Sequence, residues 1–164
     1  MNDLQSGRPT SLDDESRIDR KPFFHFWRCF WLSFLVVSLA FAWYCYYVPS
    51  NGIAWAESYA TAQSQAKVAN KPVVLYFTGK WCVPCRIMKR TVWADEQVTQ
   101  FVNASFIPVA IDVDDPKEAA LLARYNIGGT PVTIVTDSQG NALDWRAGGI
   151  SKTEFLELLD PFSS

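Results

Sequence analysis

Histidine is almost absent from this chain. His25 is the single copy in 164 residues, and cysteine occurs only four times. A zinc site takes about four Cys or His ligands. The stretch after residue 57 has two cysteines and no histidine, which argues against one there. A c-type haem attachment needs a histidine directly after the second cysteine of C-x-x-C, and Arg86 occupies that place. Cysteines spread through a small fold would indicate a disulfide-stapled scaffold. Here Cys29 and Cys45 lie inside an apolar run, and Cys82 and Cys85 form the one close pair. Excess positive charge is lacking too. The net charge is -2, which does not suit a nucleic-acid partner. No internal repeat is present, and the length suits one ordinary domain.

Charge is also missing locally. Cys29 to Val48 is a run of 20 uncharged residues, and no charge follows until Glu57. At helical rise such a run spans about 30 Å, the thickness of a bilayer core. Phe23, Phe24, Phe26 and Trp27 crowd one end, and Trp43, Tyr44, Tyr46 and Tyr47 the other, in the manner of interfacial aromatic belts. A buried core helix would need cover on every face, and the remaining chain is too small to supply it. Residues 29–48 are therefore expected to cross a membrane. Arg17, Arg20, Lys21 and Arg28 precede the run, and the first basic residue after it is Lys67. The positive-inside rule then keeps the N-terminus cytoplasmic and sends the rest across. A cleaved signal segment is the competing reading. Ala54-Trp55-Ala56 fits the small-x-small pattern of signal peptidase, with cleavage after Ala56. The apolar run exceeds the usual signal length, which favours an anchor. Both readings place the domain outside the cytoplasm.

The expected organisation is a disordered cytoplasmic tail over 1–22, a spanning or signal segment over 23–48, a linker over 49–56 and a domain over 57–164. Within the domain, residues 57–70 suit a helix closed by Asn70-Lys71-Pro72. Val73 to Phe77 is a continuous apolar run of strand length, the kind buried on both faces of a central sheet. Residues 84–103 read as helical with a break near Ala94-Asp95. Phe106–Val113, Val132–Thr136 and Ala142–Arg146 read as strands, and Pro116–Tyr125 as a helix. Ser151 and Glu154 form a capping box that opens a last helix through Leu159. The order α-β-α-β-α-β-β-α implies an α/β sheet with an antiparallel final hairpin.

Cys82 and Cys85 follow the buried-type strand and open the next helix. Backbone N–H groups and the positive end of the helix dipole favour a thiolate at such a position. Pro84 suits the first helical turn because it lacks the N–H that is unpaired there. Cys82 is expected to be the exposed nucleophile, and Cys85 to be shielded and to resolve the mixed disulfide. A purely structural disulfide is the competing reading of the pair.

The run Val73-Val74-Leu75-Tyr76-Phe77, the motif Trp81-Cys82-Val83-Pro84-Cys85 and Gly129-Thr130-Pro131 before the third strand together resemble the thioredoxin superfamily. The resemblance covers roughly residues 57–160. Within the superfamily, Phe106-Ile107-Pro108-Val109 and Asp112-Val113-Asp114 look most like exported bacterial members. They are similar to the C-terminal domain of the transmembrane thiol–disulfide interchange protein. The resemblance implies a thioredoxin fold, a mixed sheet with helices on both faces, and a protein-disulfide reductase type of activity. It implies Cys82 and Cys85 as catalytic residues joined in a redox-active disulfide. It implies a cis Pro131 beside them, a Thr130 backbone that pairs with extended substrate, and a Trp81 that shields the site. The implied partners are protein disulfides and an upstream thiol electron donor. No cofactor and no metal enter this reading.

Two departures stand out. Thioredoxins keep a buried Asp six residues before the first cysteine, where this chain has Tyr76, and a Lys near the next strand, which aligns with Pro108. Which base serves Cys85 is therefore open. The Val-Pro between the cysteines carries no His that would favour an oxidant, so a reductant or interchange role is expected. A peptide- or partner-binding module without redox turnover is the alternative, and an oxidase or isomerase is a further one. Asp112, Asp114, Asp115 and Glu118 read as a solvated loop and helix start, Trp93 and Trp145 as core or rim packing, and Cys29 and Cys45 as apolar filler.

Overall fold

The computed structural model describes residues 21–163. The tail expected over 1–22 lies outside these residues, apart from Lys21 and Pro22. The chain divides into two units, one ending at Tyr46 and one beginning at Tyr47.

The first unit is helix α1, Lys21–Tyr46. Its 26 residues extend about 39 Å at helical rise. Phe26–Tyr46 is long and apolar enough to cross a membrane by length and composition. Trp27, Trp31 and Phe34 form successive edge-to-face contacts along it, with centroids 6.0 Å apart.

The second unit contains α2 (Tyr59–Ala69), β1 (Val73–Thr78), α3 (Val83–Met88), α4 (Glu96–Ser105), β2 (Ile107–Asp112), α5 (Ala119–Arg124), β3 (Val132–Thr136), β4 (Ala142–Ala147) and α6 (Lys152–Leu159). The sheet order is β2-β1-β3-β4. β1 and β2 run parallel, joined by a helical crossover, while β3 is antiparallel to both β1 and β4. The sheet is thus mixed, with the antiparallel hairpin at one edge.

Local chemistry sets the helix limits. The Ser58 and Asp95 side chains accept the Thr61 and Val98 N–H groups and start α2 and α4. Asn70 ends α2 in the left-handed region at φ 50°. Ser151 and Glu154 form the reciprocal capping box of α6. The break expected near Ala94 is a π-helical turn, Lys89–Trp93, followed by the Asp95 cap. The helix expected over 116–125 opens instead with a 3₁₀ turn, Pro116–Glu118, before α5.

Every residue of β1 is buried, and its alternation divides two cores. Val74 and Tyr76 face α3, α4 and α6, together with Trp93, Val98, Val102 and Phe155. Val73, Leu75 and Phe77 face α2 and α5, with Ala62, Ala66, Ile111, Leu121 and Ile134.

Residues 49–56, expected to be a linker, are partly folded into this unit. Ile53 is buried. The Asn103 amide donates to the Gly52 carbonyl at 2.9 Å, and its oxygen accepts the Ala54 N–H at 2.9 Å. The Ala56 N–H donates to the Pro108 carbonyl at 2.8 Å beside a parallel bridge to Val109. The stretch looks like a linker because its partners are supplied by α4 and β2, far along the chain.

Candidate active site

The site starts where β1 ends. Cys82 is the N-cap of α3, and Pro84 stands in the first turn. Cys82 and Cys85 are joined in a disulfide with Cα atoms 5.3 Å apart. The Cys85 N–H donates to the Cys82 sulfur at 3.2 Å. A helix N-terminus directed at this sulfur stabilises negative charge on it once the bond is reduced.

Cys82 was expected to be exposed, and it is not. It is 1 % exposed, and Cys85 is fully buried. The closed disulfide turns the Cys82 sulfur inward onto the Cys85 N–H, and the collar around it is apolar. Trp81, Val83 and Ile87 are 63 %, 55 % and 47 % exposed. Val83 and Ile87 share one face of the helix at i, i+4 spacing.

The acidic stretch after β2 is not simply solvated. The Trp81 indole N–H donates to the Asp114 carboxylate at 2.9 Å. The Asp114 N–H in turn donates to the Asp112 side chain at 3.1 Å. Asp112 lies 3.9 Å from the Lys80 ammonium. Asp114 therefore fixes the aromatic flank of the dithiol. The signal available in the sequence was its place after β2, at the same sheet end as the dithiol.

Thr130 and Pro131 reach the site from β3. Val132 pairs with Phe77 near the end of β1, so the preceding loop lies at the dithiol end of the sheet. The Thr130–Pro131 peptide is cis. The Pro131 carbonyl accepts the Gly148 N–H at 2.8 Å. A Cβ on the adjacent Gly149 would stand 3.5 Å from the Pro84 side chain. The turn Gly148-Gly149 thus bridges the Pro131 loop and the dithiol helix. The Thr130 hydroxyl is buried with no partner. A cavity of about 650 Å³ borders Thr130, Pro131, Val132 and Trp145, and neither cysteine lines it. Trp145 is an exposed rim residue of β4, and Trp93 is fully buried.

Beneath the disulfide lies an aromatic stack. Trp93 sits 5.1 Å from Tyr76, 4.7 Å from Trp55 and 4.7 Å from Phe155, between ring centroids. The Tyr76 hydroxyl donates to the Cys85 carbonyl at 3.2 Å. Burial pushes the Tyr76 phenol up to about 12. The Thr78 hydroxyl and the Trp93 indole N–H oppose that shift in part, although neither reaches hydrogen-bond geometry. Tyr76 stays protonated at neutral pH and is a donor, not a base. Pro108, at the position aligned with the family lysine, lies on β2 beside β1. The strand register pairs Tyr76 with Ala110, and Val74 with Pro108. Neither Pro108 nor Ala110 ionises. Lys89, four residues after Cys85, is held below the ordinary lysine value by burial, with Asp112 opposing the shift.

The model of the thioredoxin-like domain matches residues 59–163. The chain belongs to the thioredoxin-like family. Its mixed sheet, helices on both faces and cis proline are the family fold. Among curated proteins, the chain is 32 % identical over 90 residues to the thiol:disulfide interchange protein DsbD of Ralstonia nicotianae, covering 54 % of this chain and 15 % of that one. It is 30 % identical over 97 residues to the Yersinia pestis protein of the same name, covering 57 % and 16 %. The chain thus spans about one sixth of the length of these relatives. Among solved structures, the oxidised C-terminal domain of Neisseria meningitidis DsbD is 28 % identical, with a TM-score of 0.54, and covers 63 % of this chain and 90 % of that one. DsbH oxidoreductase is 26 % identical, with a TM-score of 0.59, and covers 70 % and 87 %.

Set within this family, the dithiol, Trp81 and the cis Pro131 lie at one end of the sheet. Asp114 and Trp55 are the neighbours that sequence reasoning missed. A lone Trp among small residues was the available trace of Trp55.

Proposed function

We propose that the chain is a membrane-anchored thiol–disulfide oxidoreductase that reduces or exchanges disulfides of proteins outside the cytoplasm. The observation that carries this reading is the Cys82–Cys85 disulfide at the start of α3, with an apolar collar outside and an aromatic stack beneath. In the reduced form the Cys82 thiolate attacks one sulfur of a substrate disulfide. A mixed disulfide forms, and the other substrate sulfur leaves as a thiolate. The deprotonated Cys85 then attacks the Cys82 sulfur, and the second substrate thiolate leaves. Two electrons pass to the substrate, and Cys82–Cys85 returns to the disulfide. An upstream thiol donor restores the dithiol by the same exchange in reverse. Trp81 and the Thr130 backbone are the proposed substrate contacts, with Pro131 beside them.

Anchoring is supported by α1 and by Arg17, Arg20, Lys21 and Arg28 ahead of its uncharged run, an asymmetry that by the positive-inside rule favours a periplasmic domain. Processing after Ala56 is the alternative. It is disfavoured because Gly52, Ala54 and Ala56 are hydrogen-bonded to α4 and β2. The mass of the mature N-terminus separates the two.

Insulin reduction by wild type and by Cys82→Ser tests the chemistry. Loss of turnover in the variant is expected, and equal rates would sink the reading. A measured reduction potential near roughly -120 mV would instead mark an oxidase or isomerase. A binding module without turnover is the second reading. Tyr76 and Ala110, which offer no base at neutral pH, are the observations that favour it. Full cellular function in a Cys82→Ser, Cys85→Ser double variant would establish that reading.

A further inference from the structure

We propose that Trp55, which lies before the family domain, is a positioning residue for the dithiol and acts on it through Tyr76. The proposal rests on the redox reading above.

Trp55 is held in place from both sides. Its indole N–H donates to the Asn51 side chain at 3.0 Å, and the same oxygen accepts the Ile53 N–H at 3.3 Å. Asn103 clamps Gly52 and Ala54 at 2.9 Å each, and Ala56 is tied to Pro108. A Cβ on Gly52 would meet the Thr99 methyl at 3.1 Å, so the segment lies tight against α4. Six consecutive residues are thus ordered so that one large ring reaches the core. That ring packs at 4.7 Å from Trp93 and 6.4 Å from Tyr76.

Tyr76 links this stack to the chemistry. Its hydroxyl donates to the carbonyl of Cys85, the buried half of the dithiol. Trp55 is only partly buried, whereas Tyr76 and Trp93 are fully so. It is therefore the outer ring of the stack, between them and solvent. Removing it admits water to the Tyr76 phenol and to the dry side of Cys85. Water near a buried thiol lowers the cost of its thiolate. A reduced form stabilised in this way makes the dithiol more oxidising. Cleavage after Ala56 would discard this residue along with the anchor.

The test is the redox equilibrium of the full-length chain in glutathione buffers, read by alkylation of free thiols, together with the pH profiles of Cys82 and Cys85 alkylation. Trp55→Ala is expected to move the equilibrium towards the dithiol by roughly threefold, the scale of one weakened hydrogen bond. Trp55→Phe keeps a ring in the stack and is expected to restore most of the wild-type value. Asn51→Ala frees the indole without removing it and serves where Trp55→Ala does not fold. It is expected to shift the equilibrium in the same direction by less. A lower thermal midpoint with an unchanged equilibrium and pH profile in the folded variants would make Trp55 a structural residue only and overturn the proposal. A wild-type chain that exchanges no disulfide with glutathione would overturn the redox reading and this proposal together.

Discussion

The two faces of the sheet are equally buried but differently built. The face away from the dithiol is closed mainly by the apolar Ala62, Ala66, Val73, Leu75, Phe77 and Ile134, with Tyr59 and Tyr125 packed at its edge. The dithiol face carries Tyr76, Trp93, Phe155 and Trp55, and the Tyr76 hydroxyl donates to the Cys85 carbonyl. One face therefore keeps its polar groups, the Tyr59 and Tyr125 hydroxyls, away from the sulfurs, whereas the other also sets the surroundings of a reactive sulfur. Damage to the first is expected to change stability alone. Damage to the second is expected to change stability and redox behaviour together.

The largest expected effect comes from deleting one ring on each face. Phe77→Ala and Trp93→Ala should each cost about 3–5 kcal/mol by cavity formation. Denaturant unfolding measures both. Only Trp93→Ala should also change the thiol–disulfide equilibrium. A matching redox shift in Phe77→Ala would erase the distinction between the faces. Tyr76→Phe is gentler. It removes one hydroxyl donor at a cost of about 1 kcal/mol and leaves the ring in place. The raised phenol also predicts an alkaline effect with a definite sign. The folded value of about 12 lies above the unfolded value of about 10, so its stabilisation is complete below about pH 10 and lost as pH rises towards 12. Tyr76→Phe should lose less stability over that window in urea titrations at stepped pH.

The smallest effect is in acid. Asp95 and Glu154 cap the two long helices of the dithiol face, and each carboxyl is held below its ordinary range. For Asp95 the main cause is the bond from Lys152 at 2.9 Å, and for Glu154 the bond to Ser151. Depressed folded values mean that this stabilisation is present above the unfolded carboxylate range, near pH 4, and lost as pH falls below it. Helix α2, on the other face, is capped by the non-ionising Ser58. Hydrogen exchange at stepped acid pH should therefore show amides of α4 and α6 losing protection before those of α2. Simultaneous loss would remove this contrast.

Much of the fold was legible because its signals are local. The β3 strand, the Asn70 stop, the Asp95 break and the Ser151–Glu154 box depend on residues within a few positions of each other. The dithiol was legible for the same reason, because spacing and a following helix are local facts. The exposure of Cys82 was misjudged, since burial depends on how the closed disulfide turns the sulfur. Which β2 residue lies opposite Tyr76 was not legible, because register along β2 is set by pairing with β1, and one strand alone does not show it.

By itself, the amino-acid sequence determined the apolar helix, the order of strands and helices, the caps and the Cys82–Cys85 pair. Periodicity, capping chemistry and chain spacing operate over a few residues. Tertiary structure alone decided that Trp55 joins the stack under Tyr76, that Asp114 holds Trp81, and that Pro131 meets the dithiol end through Gly148 and Gly149. Those contacts join residues that are distant in the chain, and they form only when the sheet brings their strand ends together.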